Sequence, residues 1–167
     1  MGTTEGIGVE IGRAQAGEVD AIASLVREHA FADDGGGALI PLSRAEIAQL
    51  VAAGPFVAAR EEGGRLVGCA SHVEYDGVAE VRSLVVLPGH RSRGLAARLI
   101  DACTEMAASR GYAQAFALVN ADAQRVFERV GFTPEEKPPE KLARDCARCP
   151  LQGDRCKESA VVLRLSR

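Results

Sequence analysis

The spacing of apolar and polar positions changes along the chain, and each change marks an element. Val9 to Ala14 alternates weakly, as a half-buried strand does. Val19, Ile22, Ala23, Val26 and Ala30 then recur at helical spacing, until Asp33-Asp34-Gly35-Gly36-Gly37 breaks the pattern. Ser43-Arg44-Ala45-Glu46 is a capping box, because hydroxyl and carboxylate can each accept a backbone amide of the other residue; it predicts a helix to about Ala53, closed by Gly54-Pro55. Phe56–Glu61 and Arg65–Tyr75 read as strands joined at Glu62-Gly63-Gly64, and Asp76-Gly77 turns the chain into a third, Val78–Leu87. Ala96, Leu99, Ile100, Cys103 and Ala107 fall on one helical face, and Ala113–Val119 follows as a strand. Ala123, Val126, Phe127 and Val130 form the stripe of another helix, stopped by Gly131; Phe132–Glu135 and Ala160–Leu165 complete the strands. The order β-α-α-β-β-β-α-β-α-β-β predicts one mixed α/β domain over residues 9–167, behind a loose tail at residues 1–8.

Composition narrows the function classes. The chain has 167 residues, 47% hydrophobic and 26% charged, the balance of a soluble globular domain with one sizeable core. No apolar run reaches the roughly 20 residues of a membrane-spanning helix, and the start shows no basic-then-apolar leader, so neither membrane nor export is expected. Five cysteines, an odd number, then point to reduced thiols in the cytoplasm. A net charge of −3 with five Phe, two Tyr and no Trp argues against a basic stacking surface for nucleic acid. A small-molecule or protein partner is the better expectation, and the sequence leaves a homodimer open.

The stretch that carries chemistry is Arg82 to Ile100: an apolar strand, a Pro-Gly turn, a basic glycine-containing loop, then an amphipathic helix. This is an anion site, since the first amides of a helix lack intrahelical partners and its dipole favours phosphate. Gly94 and Ala96 lack bulk, so a pyrophosphate can approach the backbone, and Arg91 and Arg93 can pair with its oxygens. Neither a Walker loop nor a dinucleotide fingerprint is present.

Arg91-Ser92-Arg93-Gly94-Leu95-Ala96 resembles the acetyl-CoA loop of the GNAT acetyltransferase superfamily, Arg/Gln-x-x-Gly-x-Gly/Ala. Leu84-Val85-Val86-Leu87-Pro88 is similar to that family's strand end, and Asn120 to Ala123 with Val126 to Phe132 to its second signature. The resemblance spans nearly the whole chain. It implies an α/β GNAT fold, a mixed sheet of about seven strands with about four helices and a splayed acetyl-CoA cleft. It implies acetyl-CoA as co-substrate, held by the backbone of Leu84, Val85 and Val86, by the loop Arg91, Ser92, Arg93, Gly94, Leu95 and Ala96, and by Asn120, which can equally be a helix cap. An amide aimed at the acetyl carbonyl would stabilise the oxyanion as an amine attacks. Glu80, eleven residues before Arg91, has the spacing of the family's general base. By strand alternation it shares a face with Arg82 and Leu84. His72 is a second candidate base, His29 reads as a packed histidine, and His90 sits in the loop. Phe127 stands where many relatives carry a tyrosine acid, so the leaving thiolate takes its proton from water or departs as the anion.

Leu39 to Ile47, Ala79 to Val86 and the tail from Lys141 to Val162 resemble short amino-acid N-acetyltransferases of the N-acetylglutamate synthase type. That implies transfer to the α-amine of L-glutamate, the first step of arginine biosynthesis. Arg82, Arg44 and Arg144 are the candidate carboxylate-binding cations, because guanidinium pairs with carboxylate bidentately. Leu42 stands where those relatives carry an arginine, which keeps another small amine, or an antibiotic-like acceptor, in play. Cys146, Cys149 and Cys156, in a loop at about residues 138–158, offer three soft ligands where structural zinc takes four; metal, a redox pair and unbridged thiols all stay open. From another class, a non-catalytic acetyl-CoA-binding or thiol-sensing module remains an alternative.

Overall fold

The computed structural model describes residues 8–29, 42–75, 77–91, 93–137, 139 and 159–166. Its strands are β1 (Glu10–Arg13), β2 (Phe56–Arg60), β3 (Leu66–Tyr75), β4 (Val78–Val86), β5 (Gln114–Val119), β6 (Thr133–Pro134) and β7 (Ser159–Arg164). Its helices are α1 (Val19–Glu28), α2 (Arg44–Ala53), α3 (Leu95–Ser109) and α4 (Ala121–Val130). The seven strands form one sheet in the order β1-β2-β3-β4-β5-β7-β6. Every neighbouring pair is antiparallel except β4 and β5, which run parallel across the connection made by α3.

The helix stops are local chemistry. The Ser43 hydroxyl accepts the Glu46 amide at 3.2 Å, and the Glu46 carboxylate accepts the Ser43 amide at 2.7 Å, so the capping box forms as read. Gly54 ends α2 at φ 103° and Gly131 ends α4 at φ 108°, both left-handed positions that cost a side chain dearly. The C-terminal half of α1 is described to His29; Ala30 and the Asp33–Gly37 break lie outside the described residues.

Each face of the sheet buries its own apolar layer. Ile22 and Val26 of α1 and Ile47 of α2 pack with Phe56, Ala58, Cys69 and Val85. On the other face Leu99, Ile100 and Cys103 of α3 and Phe127 of α4 pack with Val57, Val67, Ala70, Val81, Val86, Ala115, Ala117 and Val161. Full burial of an Ile or Leu side chain contributes about 1.5–3 kcal/mol, so these two layers dominate the stability. The predicted strand Phe132–Glu135 shortens to Thr133–Pro134, because Phe132 turns into the core and meets Phe127 edge-on at 5.0 Å between ring centroids.

Two irregularities shape the centre of the sheet. Between β2 and β3 the register slips next to Val67, and a Cβ added to Gly68 would lie 2.9 Å from the Val85 carbonyl oxygen and 3.2 Å from Leu99. Between β3 and β4 the partners run from Ser71↔Arg82 to Cys69↔Val85, so Ser83 and Leu84 together oppose Ala70. That is a β-bulge, and Ser83 sits in it at φ 55°.

Candidate functional site

β4 and β5 pair only at Ala79↔Ala115 and Glu80↔Phe116. Beyond Glu80 the β4 backbone continues to Val86 with no β5 partner in register, so the two parallel strands part into a V. Helix α3 begins after the loop that follows β4, and α4 begins at Ala121, capped by Asn120 directly after β5. The V therefore opens toward two helix N-termini, at the carboxyl ends of parallel strands, where open α/β sheets place their ligands.

Glu80 lies at the apex of the V, 2% exposed, and its Oε2 is 3.3 Å from Nε of half-buried Arg82. Neither is a solvated strand-end charge. Val81 belongs to the α3/α4 layer, so by alternation Glu80 and Arg82 take the α1/α2 face. The field of Arg82 reaches α2: the Glu46 carboxyl is held below its ordinary range first by the Ser43 amide and hydroxyl, and in part by Arg82. One expectation is corrected here. Leu84 does not share the Glu80 face; the bulge at Ser83 shifts the alternation by one, and Leu84 packs with Val81 and Val86 on the α3/α4 side. Val85 instead joins the α1/α2 layer.

The loop after β4 is braced from within. The Arg91 Nε donates to the Val86 carbonyl at 3.1 Å, and His90 Nε2 lies 3.2 Å from the Glu61 carboxylate on the β2–β3 hairpin. Arg93 is exposed, Leu95 is buried and Ala96 half-buried. Gly94 caps α3 at φ 72°, and a Cβ there would meet nothing within 4 Å. Glycine is thus needed for the turn itself, and no described atom fills the space where its Cβ would stand. Ser92 lies outside the described residues. Asn120 caps α4, its Oδ1 accepting the Ala123 amide at 2.8 Å, which meets the helix-cap reading.

Other candidates are placed elsewhere. Arg44 is exposed and bound to Asp20 at 2.6 Å, tying α2 to α1. His72 pairs with Val81 across β3 and β4, which puts it on the face opposite Glu80, fully buried with Nε2 3.0 Å from Glu74. His29 is a half-buried helix end whose Nδ1 meets the Leu25 carbonyl at 2.9 Å, rather than a packed core histidine. Phe127 is buried, with Phe132 edge-on to its ring. Arg144, Cys146, Cys149 and Cys156 lie outside the described residues. Among the described residues no three His, Cys, Asp or Glu gather as metal ligands. No described helix is long and apolar enough to cross a membrane.

The sequence reading missed the Ser83 bulge and the side chains of β3 beneath it. Cys69 Sγ donates to the Ser83 carbonyl at 3.4 Å, and Ser71 Oγ lies 3.4 Å from the Arg82 carbonyl. A serine gives no warning of a left-handed backbone, and a cysteine in an apolar run reads as core.

The chain matches the model of the acetyltransferase (GNAT) family over residues 24–132. An uncharacterised N-acetyltransferase of Chlorobaculum tepidum is 32% identical over 102 residues, covering 59% of this chain and 64% of that protein. The N-acetylglutamate synthase of Neisseria gonorrhoeae, solved with coenzyme A and N-acetyl-glutamate, aligns at TM-score 0.77 and 24% identity over 98% of this chain. This chain spans 36% of that synthase. Rv2747 of Mycobacterium tuberculosis, solved with CoA and NLQ, aligns at TM-score 0.74 and 21% identity, over 94% of this chain and 99% of that one. At these identities the structural likeness is one of fold.

Proposed function

The chain belongs to the acetyltransferase (GNAT) family, and from that premise we propose that it transfers acetyl from acetyl-CoA to the α-amine of an amino acid, L-glutamate first. The observation that carries this reading is the parting of β4 from β5 beyond a buried Glu80, with Arg82 beside it. The residues present suit acetyl-CoA. Beyond its β5 pairing, β4 offers an edge for a strand-like pantetheine arm at Leu84 to Val86, and the space beside Gly94 at the start of α3 suits a pyrophosphate. Arg93 can add charge there, while Arg91 holds the loop by its Val86 bond. Acetyl-CoA, when bound, supplies the acyl group as a thioester.

The chain's own groups then divide the work. Glu80 takes the ammonium proton, directly or through one water, so that the neutral amine can attack. Backbone amide at the bulge meets the oxygen on which charge develops. Arg82 faces the acceptor side beside Glu80 and receives a carboxylate. Phe127 brings no hydroxyl, so the leaving thiolate takes its proton from water or departs as the anion. Arg44 is engaged by Asp20 and Arg82 by Glu80; the amino-acid carboxylate is assigned to Arg82 because it stands beside the proposed base, and Arg144 is the further candidate. Synthesis of N-acetylglutamate for arginine formation, a cytoplasmic location and action of residues 9–167 as one domain belong to the same proposal.

The test is acetyl-CoA-dependent thiol release against the twenty amino acids. The reading expects turnover with glutamate well above the rest. Equal or absent turnover across the panel, with acetyl-CoA bound, would end the amino-acid assignment and favour another small amine or a module that binds without transferring.

A further inference from the structure

Ser83 occupies a backbone conformation that favours glycine, and it is the one described non-glycine residue with positive φ. Bulges of this kind normally seat glycine there. Something must compensate, and the side chains opposite supply it. Cys69 is fully buried on β3, and its thiol donates to the Ser83 carbonyl at 3.4 Å, an ordinary length for a sulfur donor. Burial pushes that thiol up to about 12, so it keeps its proton and stays a donor throughout the neutral range.

The consequence follows from peptide geometry. The Ser83 carbonyl and the Leu84 amide belong to one planar trans peptide, so they point in opposite directions. With the carbonyl drawn toward β3 by Cys69, the Leu84 N–H points to the other side of β4. That is the side from which β5 has already departed, since the parallel pairing ends at Glu80↔Phe116.

We propose that Cys69 is a positioning residue for acyl transfer: its thiol fixes the Ser83–Leu84 peptide so that the Leu84 N–H faces the acyl oxygen in the V. The inference rests on the acetyl-transfer reading of that V. It assigns Cys69 no contact with substrate.

The test uses the full chain with Cys69→Val, Cys69→Ala, Cys69→Ser and Ser83→Gly, alone and combined. Valine and alanine remove the donor with opposite changes of volume; serine keeps a donor; glycine at 83 removes the conformational penalty that the thiol offsets. Both Cys69→Val and Cys69→Ala should lower kcat by about ten- to a hundred-fold, with the KM for acetyl-CoA within about two-fold. Cys69→Ser should recover most of the loss. In the Ser83→Gly background, adding Cys69→Val should cost less than about two-fold, because the bulge no longer needs the thiol. A role in filling the core predicts the reverse: serine as poor as alanine, and no rescue by glycine. Either result, or an unchanged kcat in a folded Cys69→Val, overturns the proposal.

A second readout needs no amine. The Leu84 amide resonance should move on binding acetyl-CoA further than on binding CoA, which has no acyl oxygen, and Cys69→Val should abolish the difference. If the wild-type chain binds acetyl-CoA but turns over no amine, the transfer reading fails while this comparison still decides the role of Cys69. If the difference is absent in wild type, the proposal fails whatever the turnover.

Discussion

Glu80 and Arg82 stand two residues apart on one face of β4, 3.3 Å between Oε2 and Nε, and the pair gives each a reason to be buried. A lone carboxylate at that depth is costly; beside a guanidinium it keeps a partner while remaining at the edge of the V. The residue on the opposite face follows the same rule with the other sign. Burial lowers the His72 imidazole below its ordinary value of 6.5, and Glu74 offsets part of that. The folded chain thus disfavours the protonated ring. The associated stability is fully present above pH 6.5 and is lost as the pH falls below it, toward the lower folded value. Melting temperature measured from pH 8 to pH 5 should fall on the acid side in wild type and fall less in His72→Gln when each is referred to its own pH 8 value. Parallel profiles for the two would contradict this account of His72.

At the scale of elements, the sheet depends on two slips of register that bring β3, β4 and α3 close together. Gly68 is the tightest point, with the Val85 carbonyl 2.9 Å from where a Cβ would stand. Gly68→Ala should cost about 1–3 kcal/mol, read as a lower urea midpoint with unchanged slope, because backbone and not a flexible side chain must give way. A stability equal to wild type would mean that β3 and α3 adjust freely. The helices and strands were legible in the sequence wherever a pattern ran long enough, from the Ser43 capping box to the apolar stripe of α4. The arrangement of the candidate residues was not legible. Period-two alternation carried Leu84 to the Glu80 face, and only the bulge, which a serine does not announce, reverses it. The same alternation, extended to β3, is what takes His72 away from Glu80. The Arg44–Asp20 ion pair lay beyond any local pattern, because Asp20 is in another helix.

For the whole molecule, two apolar layers hold a sheet of seven described strands in which, among the described residues, the one parallel pair is the pair that parts. That parting places a buried carboxylate, a turned backbone and two helix N-termini around one opening. The account's central claim is that this opening transfers an acetyl group with Glu80 as the base. The most direct measurement compares wild type with Glu80→Gln, using the best amino acid of the panel, with acetyl-CoA affinity measured by calorimetry on the same samples. The account predicts that kcat falls by about a hundred- to ten-thousand-fold in the variant, while acetyl-CoA binds within about two-fold of wild type. A Glu80→Gln chain that binds acetyl-CoA and transfers acetyl at the wild-type rate would contradict it.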